Sequence, residues 1–143
     1  MVDSLIYIFN EDFSALKESF GYAGRDMSTD YQGLPSTNNN SALREYWFNE
    51  MENRGYYTSL NYIEERDLLF RGYQKGGNSK SDGLQVYRGN RLIADVDVPK
   101  NDNPYAPLNH FEVIGYIDPW FYSNAFIDEK REEITIYRFR IDE

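Results

Sequence analysis

Cysteine is absent from this 143-residue chain, and histidine occurs once, at His110. The first absence excludes disulfides, thiol chemistry and every zinc site that needs sulfur; the second excludes a multi-histidine metal cluster within one chain. Basic residues are scarce too. Fifteen Lys and Arg stand against twenty-four Asp and Glu, for a net charge of −9. Such a surface repels phosphate backbones and anionic lipid, so direct contact with nucleic acid or membrane is not expected. Long apolar runs are also missing. Nothing approaches the roughly 20 residues of a membrane-spanning helix. The run Leu5 to Phe9 is shorter than an export-signal core and is preceded by Asp3 where a positive charge is expected. A cytoplasmic location follows as an expectation.

Aromatic side chains are abundant: thirteen Tyr, nine Phe and two Trp. Each buried ring removes about 150–250 Å² from water, so a chain of this length can build a stable core without a metal or disulfide staple. One acidic domain over residues 1–143 is expected. Its charge is uneven: residues 1–30 carry −4 and residues 101–143 carry −5, while the middle is nearly neutral. If the two ends meet in space, they form one negative face.

Residues 4–9 are rich in β-branched and aromatic side chains and read as a strand. Asn10 or Asp12 then caps an expected helix over 11–20, with Phe13, Leu16 and Phe20 on one face. Residues 25–40 read as a long polar loop. A second helix is expected over 42–54, with Ser41 as N-cap, a Leu43, Trp47, Met51 stripe and Gly55 as terminator. Residues 56–63 and 68–74 read as strands joined by the charged turn Glu64–Asp67. A glycine- and serine-containing loop over 76–83 follows. Strands 84–88 and 91–98 flank Gly89-Asn90, a two-residue hairpin signal. Residues 110–117 and 134–141 are further strands, and Asp118-Pro119 starts a short helix. The expected fold class is therefore α+β: two main helices packed on a mostly antiparallel sheet of five to six strands.

Ile6-Tyr7-Ile8-Phe9-Asn10 resembles the first RNA-contacting motif of the RNA-recognition-motif family, and Arg71-Gly72-Tyr73 resembles the opening of its second. That resemblance implies base stacking on the motif aromatics. Gln74-Lys75-Gly76 then departs from the family pattern, and the net charge opposes phosphate contacts. Gly76 to Ser81 resembles a phosphate-binding loop but lacks its Gly-x-x-x-x-Gly-Lys-Ser/Thr order. Asp102-Asn103-Pro104-Tyr105 resembles the Asp/Asn-Pro-Pro-Tyr motif of amino-methylating enzymes, with one proline missing.

No complete catalytic set is legible, and no cofactor or resident metal is expected. Asp95 and Asp97, two apart on an expected strand, share a face, and an imidazole such as that of His110 can serve as a general base. Together they are the candidate alternative ligand or metal site. The stronger constellation is aromatic: Tyr116, Trp120 and Tyr122 crowd one segment, with Asp118, Asp128 and Glu129 around them. Tyr and Trp are typical anchors of protein interfaces, and acids steer association with basic surfaces. These six are the candidate partner-binding residues. The expected function is that of a non-enzymatic inhibitor or immunity-type protein, of the virus-encoded counter-defence or antidote kind. It would occupy a basic site on a partner such as a nucleic-acid-handling enzyme. The alternative is a nucleotide- or sugar-binding protein or enzyme with an aromatic-lined pocket; a third reading is a structural subunit that contacts its own copies.

Overall fold

The computed structural model describes residues 3–27, 36–101 and 110–142; the side chains of Met51 and Glu52 lie outside that description. Its described residues form nine strands and one α-helix: β1 (Ile6–Phe9), β2 (Leu16–Phe20), α1 (Asn40–Arg54), β3 (Tyr56–Ile63), β4 (Leu68–Gln74), β5 (Ser81–Arg88), β6 (Arg91–Pro99), β7 (Val113–Ile117), β8 (Trp120–Asp128) and β9 (Glu133–Phe139). All pairing is antiparallel, in three sheets ordered β1-β2, β3-β4-β5-β6 and β7-β8-β9. The expected α+β arrangement of two helices on one sheet is thus overturned; the fold is mostly β.

The core lies between the four-stranded and the three-stranded sheet. Period-two alternation turns Leu68, Phe70, Leu84, Val86 and Val98 toward it from one side; Val113, Phe121 and, past a register shift in β8, Phe126 face it from the other. Phe70 and Phe121 meet with ring centroids 5.0 Å apart. Phe111 completes the layer, edge-on to Phe126 at 6.2 Å.

Several local expectations hold. The bounds of β3 and β4 are those read from the sequence, and a single 3₁₀ turn (Glu64–Arg66) links them, with Asp67 left-handed at φ 50°. The β5–β6 hairpin turns at Gly89-Asn90. Gly89 takes φ 58°, the positive value a type II′ turn asks for at its first central position. Gly55, at φ 76°, ends α1.

Two expected helices are absent. Residues 11–20 form a turn and β2, and residues after Asp118-Pro119 form β8. In the first case Asn10 and Asp12 do use their side chains on nearby backbone, but to close a hairpin. Asn10 Oδ1 accepts from the Ala15 N–H (3.0 Å) and Asp12 Oδ1 from the Ser14 N–H (2.9 Å). The same short polar side chains serve helix caps and Asx turns. In the second case Trp120 to Ser123 alternate between outward and buried side chains, and a register shift before Ala125 resets the alternation for Phe126, a pattern that fits a bulged strand. The N-cap of α1 is Asn39, not Ser41: its Oδ1 accepts from the Ser41 and Ala42 N–H groups at 3.0 and 3.3 Å. Trp47 and Phe48 remain exposed on this helix, so α1 is not the packed helix expected for 42–54.

The N-terminal acids sit in the β1–β2 hairpin on the outer face of the four-stranded sheet, whereas β9 lies across the core in the other sheet. Among the described residues, the acids of the hairpin and those flanking β9 therefore lie on opposite sides of the core. Among the described residues, no helix is long and apolar enough to cross a membrane.

Candidate functional site: an aromatic hairpin on a buried polar anchor

The four-stranded sheet has a second buried face. Arg71 and Tyr73 on β4, Gln85 and Tyr87 on β5, and Asp95 and Asp97 on β6 alternate away from the apolar core. A sheet face of this composition would ordinarily be wet, yet Arg71 is 3% exposed, Gln85 0% and Tyr73 1%. Their cover is the chain around the hairpin, residues 3–6 and 20–25, whose backbone groups the buried side chains engage. Arg71 donates to the carbonyls of Ser4 (2.6 Å) and Asp3 (2.7 Å) and stacks its guanidinium 3.3 Å over the Tyr57 ring. The Tyr57 hydroxyl donates to the Tyr22 carbonyl and accepts from the Gly24 N–H, both at 3.1 Å. Tyr87 accepts from the Tyr22 N–H and donates to Gln85 Oε1. Gln85 Nε2 donates to the Tyr22 carbonyl and to Asp95.

Asp95 also accepts from the Tyr73 hydroxyl (2.6 Å) and the Arg25 N–H (3.2 Å). Asp97 is held by Lys75 Nζ (2.5 Å) and by the Arg25 guanidinium. The hydrogen bonds from Lys75, then from Arg25, hold the Asp97 carboxyl below the usual carboxylate range. Asp95 and Asp97 are thus brought together, as struts that fasten the strap to the sheet. His110 lies on the other side of that sheet. Its Nε2 is 3.0 Å from the Tyr56 hydroxyl, and its Nδ1 is 3.8 Å from buried Asp82. Burial, then the Asp82 charge, raises the Tyr56 phenol, which disfavours a tyrosinate nucleophile there. The three residues of the alternative site do not converge. Asp102 to Tyr105 lie outside the described residues.

What this anchor holds in place is the hairpin tip. Phe13 sits at φ 59°, a conformation bulky residues rarely adopt, and is 79% exposed. The Asn10 and Asp12 bonds fix that turn. Phe9 lies 6.3 Å from Phe13, and Tyr7, Ile8 and Leu16 add exposed apolar surface. Interleaved with these are Asp3, Glu11, Asp12 and Glu18, all exposed, against the one base Lys17. The Leu5 N–H and then the Tyr7 hydroxyl keep the Asp3 carboxyl low; hydrogen bonds within the Ser14 turn do the same for Asp12. Both stay ionised well below neutrality. A groove of about 500 Å³ runs between the hairpin and the sheet, floored by Ile6, Phe20, Leu60 and Leu69. Its polar side chains are spent on each other: Asn90 donates to Glu18 (2.7 Å) and Tyr62 to Asp67 (2.9 Å).

The six residues expected to bind a partner are divided. Tyr116 turns inward, 4.8 Å from Phe121, with its hydroxyl donating to Asp118 (2.5 Å) and accepting from Arg66 (2.9 Å). Trp120 and Tyr122 face outward, the former beneath the Arg138 guanidinium at 4.7 Å. Asp118 lies at the β7–β8 turn, while Asp128 and Glu129 lie at the β8–β9 turn, with the length of β8, about 30 Å at ~3.3 Å per residue, between them. The hairpin was missed because residues 11–20 read as helix. The legible signal was Asn-x-Asp between two apolar runs.

The anchor carries a pH prediction. Burial, as the main cause, raises the hydroxyls of Tyr57, Tyr73 and Tyr87 above the usual phenol value. A folded-state pKa above the unfolded one means their contribution is intact below about pH 10 and is lost as pH rises toward the folded values. Each destabilises the fold by about 1.4 kcal/mol per pH unit between its unfolded value and its own raised folded value. Tyrosinate absorbance should therefore rise in a cooperative step that coincides with loss of the β circular-dichroism signal. A smooth titration with the fold intact would contradict this assignment.

Comparison with family models, curated proteins and solved structures finds no match to this chain.

Proposed function

We propose that this chain is a non-enzymatic protein-binding module that occupies a basic, apolar-floored site on its partner through the β1–β2 hairpin. The supporting observation is Phe13: a bulky ring held at the tip in an unfavourable backbone conformation, facing solvent, by side chains that do little else. Backbone strain of this kind costs about 1–3 kcal/mol and is a recurrent feature of ligand clamps and functional sites. The surrounding carboxylates steer approach to a cationic surface, and the rings supply the desolvated contact. Sites that hold nucleic acid combine positive charge with surfaces for stacking bases, so a nucleic-acid-handling enzyme is the partner class this finger fits best, and the outcome is inhibition. The small-ligand alternative is less well supported, because the groove's polar groups are already paired with one another.

The test compares capture from a native-host lysate by the wild-type chain, Phe13→Asn and Glu11→Lys, eluted over a salt gradient. Asn tolerates the left-handed conformation, so Phe13→Asn retains the turn and removes the ring. A basic protein held by the wild type should be bound at least roughly tenfold more weakly by Phe13→Asn. Glu11→Lys should slow association and flatten its salt dependence. The melting temperature of Phe13→Asn should stay level or rise. Equal retention by all three chains would refute the hairpin as the contact.

A further inference from the structure

The three-stranded sheet ends in a strand whose outer edge has no neighbour among the described residues: β9 pairs only with β8. The N–H of Tyr137 is directed at β8, where it donates to Ser123 Oγ at 2.9 Å. Backbone groups of successive residues in a strand point to alternate sides, so those of Ile134, Ile136 and Arg138 face the open edge. Natural edges are blunted with proline, lysine, bulges or covering loops. The segment Glu133–Phe139 contains neither proline nor lysine.

The side chains of this edge have a two-fold pattern. Glu133 stands at its start, with Glu132 just before it in the β8–β9 turn at φ 54°; Arg138 stands near its end, with Arg140 just past it, and Ile136 is at its centre. An antiparallel pairing of the strand with itself, centred on Ile136, sets Ile134 opposite Arg138 twice and Ile136 opposite its own copy, and brings Glu132 in the turn alongside Arg140 beyond each strand end. In that register Ile136–Ile136 and Ile134–Arg138 are the hydrogen-bonded pairs, which are the residues whose backbone groups face outward. Charge and backbone polarity select the same register. The apolar side chains agree with it: Ile134 is 69% and Ile136 56% exposed, and Ile127 lies directly behind Ile134 on β8. Joining two copies makes one six-stranded sheet with a continuous isoleucine stripe across the seam. Arg140, now bonded to the exposed Asp142 on its own chain (3.0 Å), would exchange that exposed partner for Glu132 of the second copy.

We infer that the protein forms a two-fold symmetric dimer by antiparallel pairing of β9, with the complementary charges Glu132 and Arg140 setting the register. The interface is isologous, so every substitution acts twice. It uses the sheet across the core from the hairpin, so both fingers remain free and a dimer presents two of them, which favours a partner that is itself repeated or dimeric.

Sedimentation velocity over a concentration series tests the proposal, with circular dichroism to verify the fold of each variant. The wild type should move from monomer to dimer as concentration rises. Ile136→Lys sets two like charges face to face at an exposed position and should weaken dimerisation by roughly tenfold or more. Glu132→Arg and Arg140→Glu should each do the same, and the double variant should recover wild-type association. If Ile136→Lys fails to fold, the charge-reversal set decides alone. A wild type that stays monomeric to its solubility limit would overturn the inference. So would a dimer indifferent to these substitutions, or a double variant no better than the singles. None of these outcomes bears on Phe13, so failure here is separable from failure of the hairpin reading.

Discussion

Arg71→Ala is expected to loosen the β1–β2 hairpin from the sheet and to lower stability by about 3–5 kcal/mol. Two consequences add. The carbonyls of Ser4 and Asp3 lose charged donors at 2.6 and 2.7 Å, and partly buried groups left without a partner cost about 1–3 kcal/mol each. The guanidinium also leaves the Tyr57 ring, a desolvated cation–π contact of about 2 kcal/mol. The outcome should be uneven across the molecule. The apolar core between the two larger sheets contains no part of Arg71, so amide exchange should accelerate most in residues 3–9 and 16–22 and least in β4 and β8. Arg71→Met, which keeps the stem but not the donors, should recover little. Partner affinity should fall as well, although a side chain 3% exposed cannot itself reach a partner. An unchanged urea midpoint would remove Arg71 as the anchor. Equal acceleration in all three sheets would make it a support of the whole fold rather than of the hairpin.

The elements legible from sequence are those whose local and tertiary signals agree. β3 and β4 are rich in β-branched and aromatic residues and are bounded by a charged turn, and Gly89-Asn90 offers a backbone conformation that few other dipeptides reach as easily. Residues 11–20 show how agreement fails. Leu16 and Phe20 are four apart, a spacing that satisfies the period of a helix and of a strand alike, and Asn10 and Asp12 cap either outcome. Pairing with Ile6 to Phe9 decided it, a contact that no local pattern encodes. At Asp118-Pro119 the same dipeptide that opens a helix makes the β7–β8 turn. The aromatic cluster was visible as composition, but not its division. A register shift after Val113 turns Tyr116 inward beside Phe121, alternation from Phe121 turns Trp120 outward, and the length of β8 separates the acids. The anchor left one readable trace. Arg71, Tyr73, Gln85, Tyr87, Asp95 and Asp97 occupy the non-core positions of three successive strands with a balanced set of donors and acceptors. A face meant for water has no need of such balance.

Gly83→Ala should lower stability strongly for a single added methyl, by about 3–5 kcal/mol. Gly83 lies opposite Tyr73 in the β4–β5 ladder, and a Cβ at that position would fall inside the Tyr73 ring. The ring has nowhere to go. On its other side a Cβ at Gly24 would approach it at 2.6 Å, Tyr57 lies against it at 6.1 Å, and its hydroxyl is committed to Asp95. The tyrosine is held flat between two glycines, one in the sheet and one in the strap that covers it. Overpacking alone costs about 1–3 kcal/mol, and displacing the ring breaks the buried hydroxyl bond for about 1–3 more. Tyr73→Ala removes the ring and is itself expensive, yet on that background Gly83→Ala should cost less than about 1 kcal/mol. The two substitutions should therefore show a coupling of about 2–5 kcal/mol in a double-mutant cycle. Additivity would mean that Gly83 is required by its own backbone and not by the ring. Strong coupling would establish that the strap, the sheet and the hairpin are clamped at one point, where Tyr73 fills the gap that two missing side chains leave.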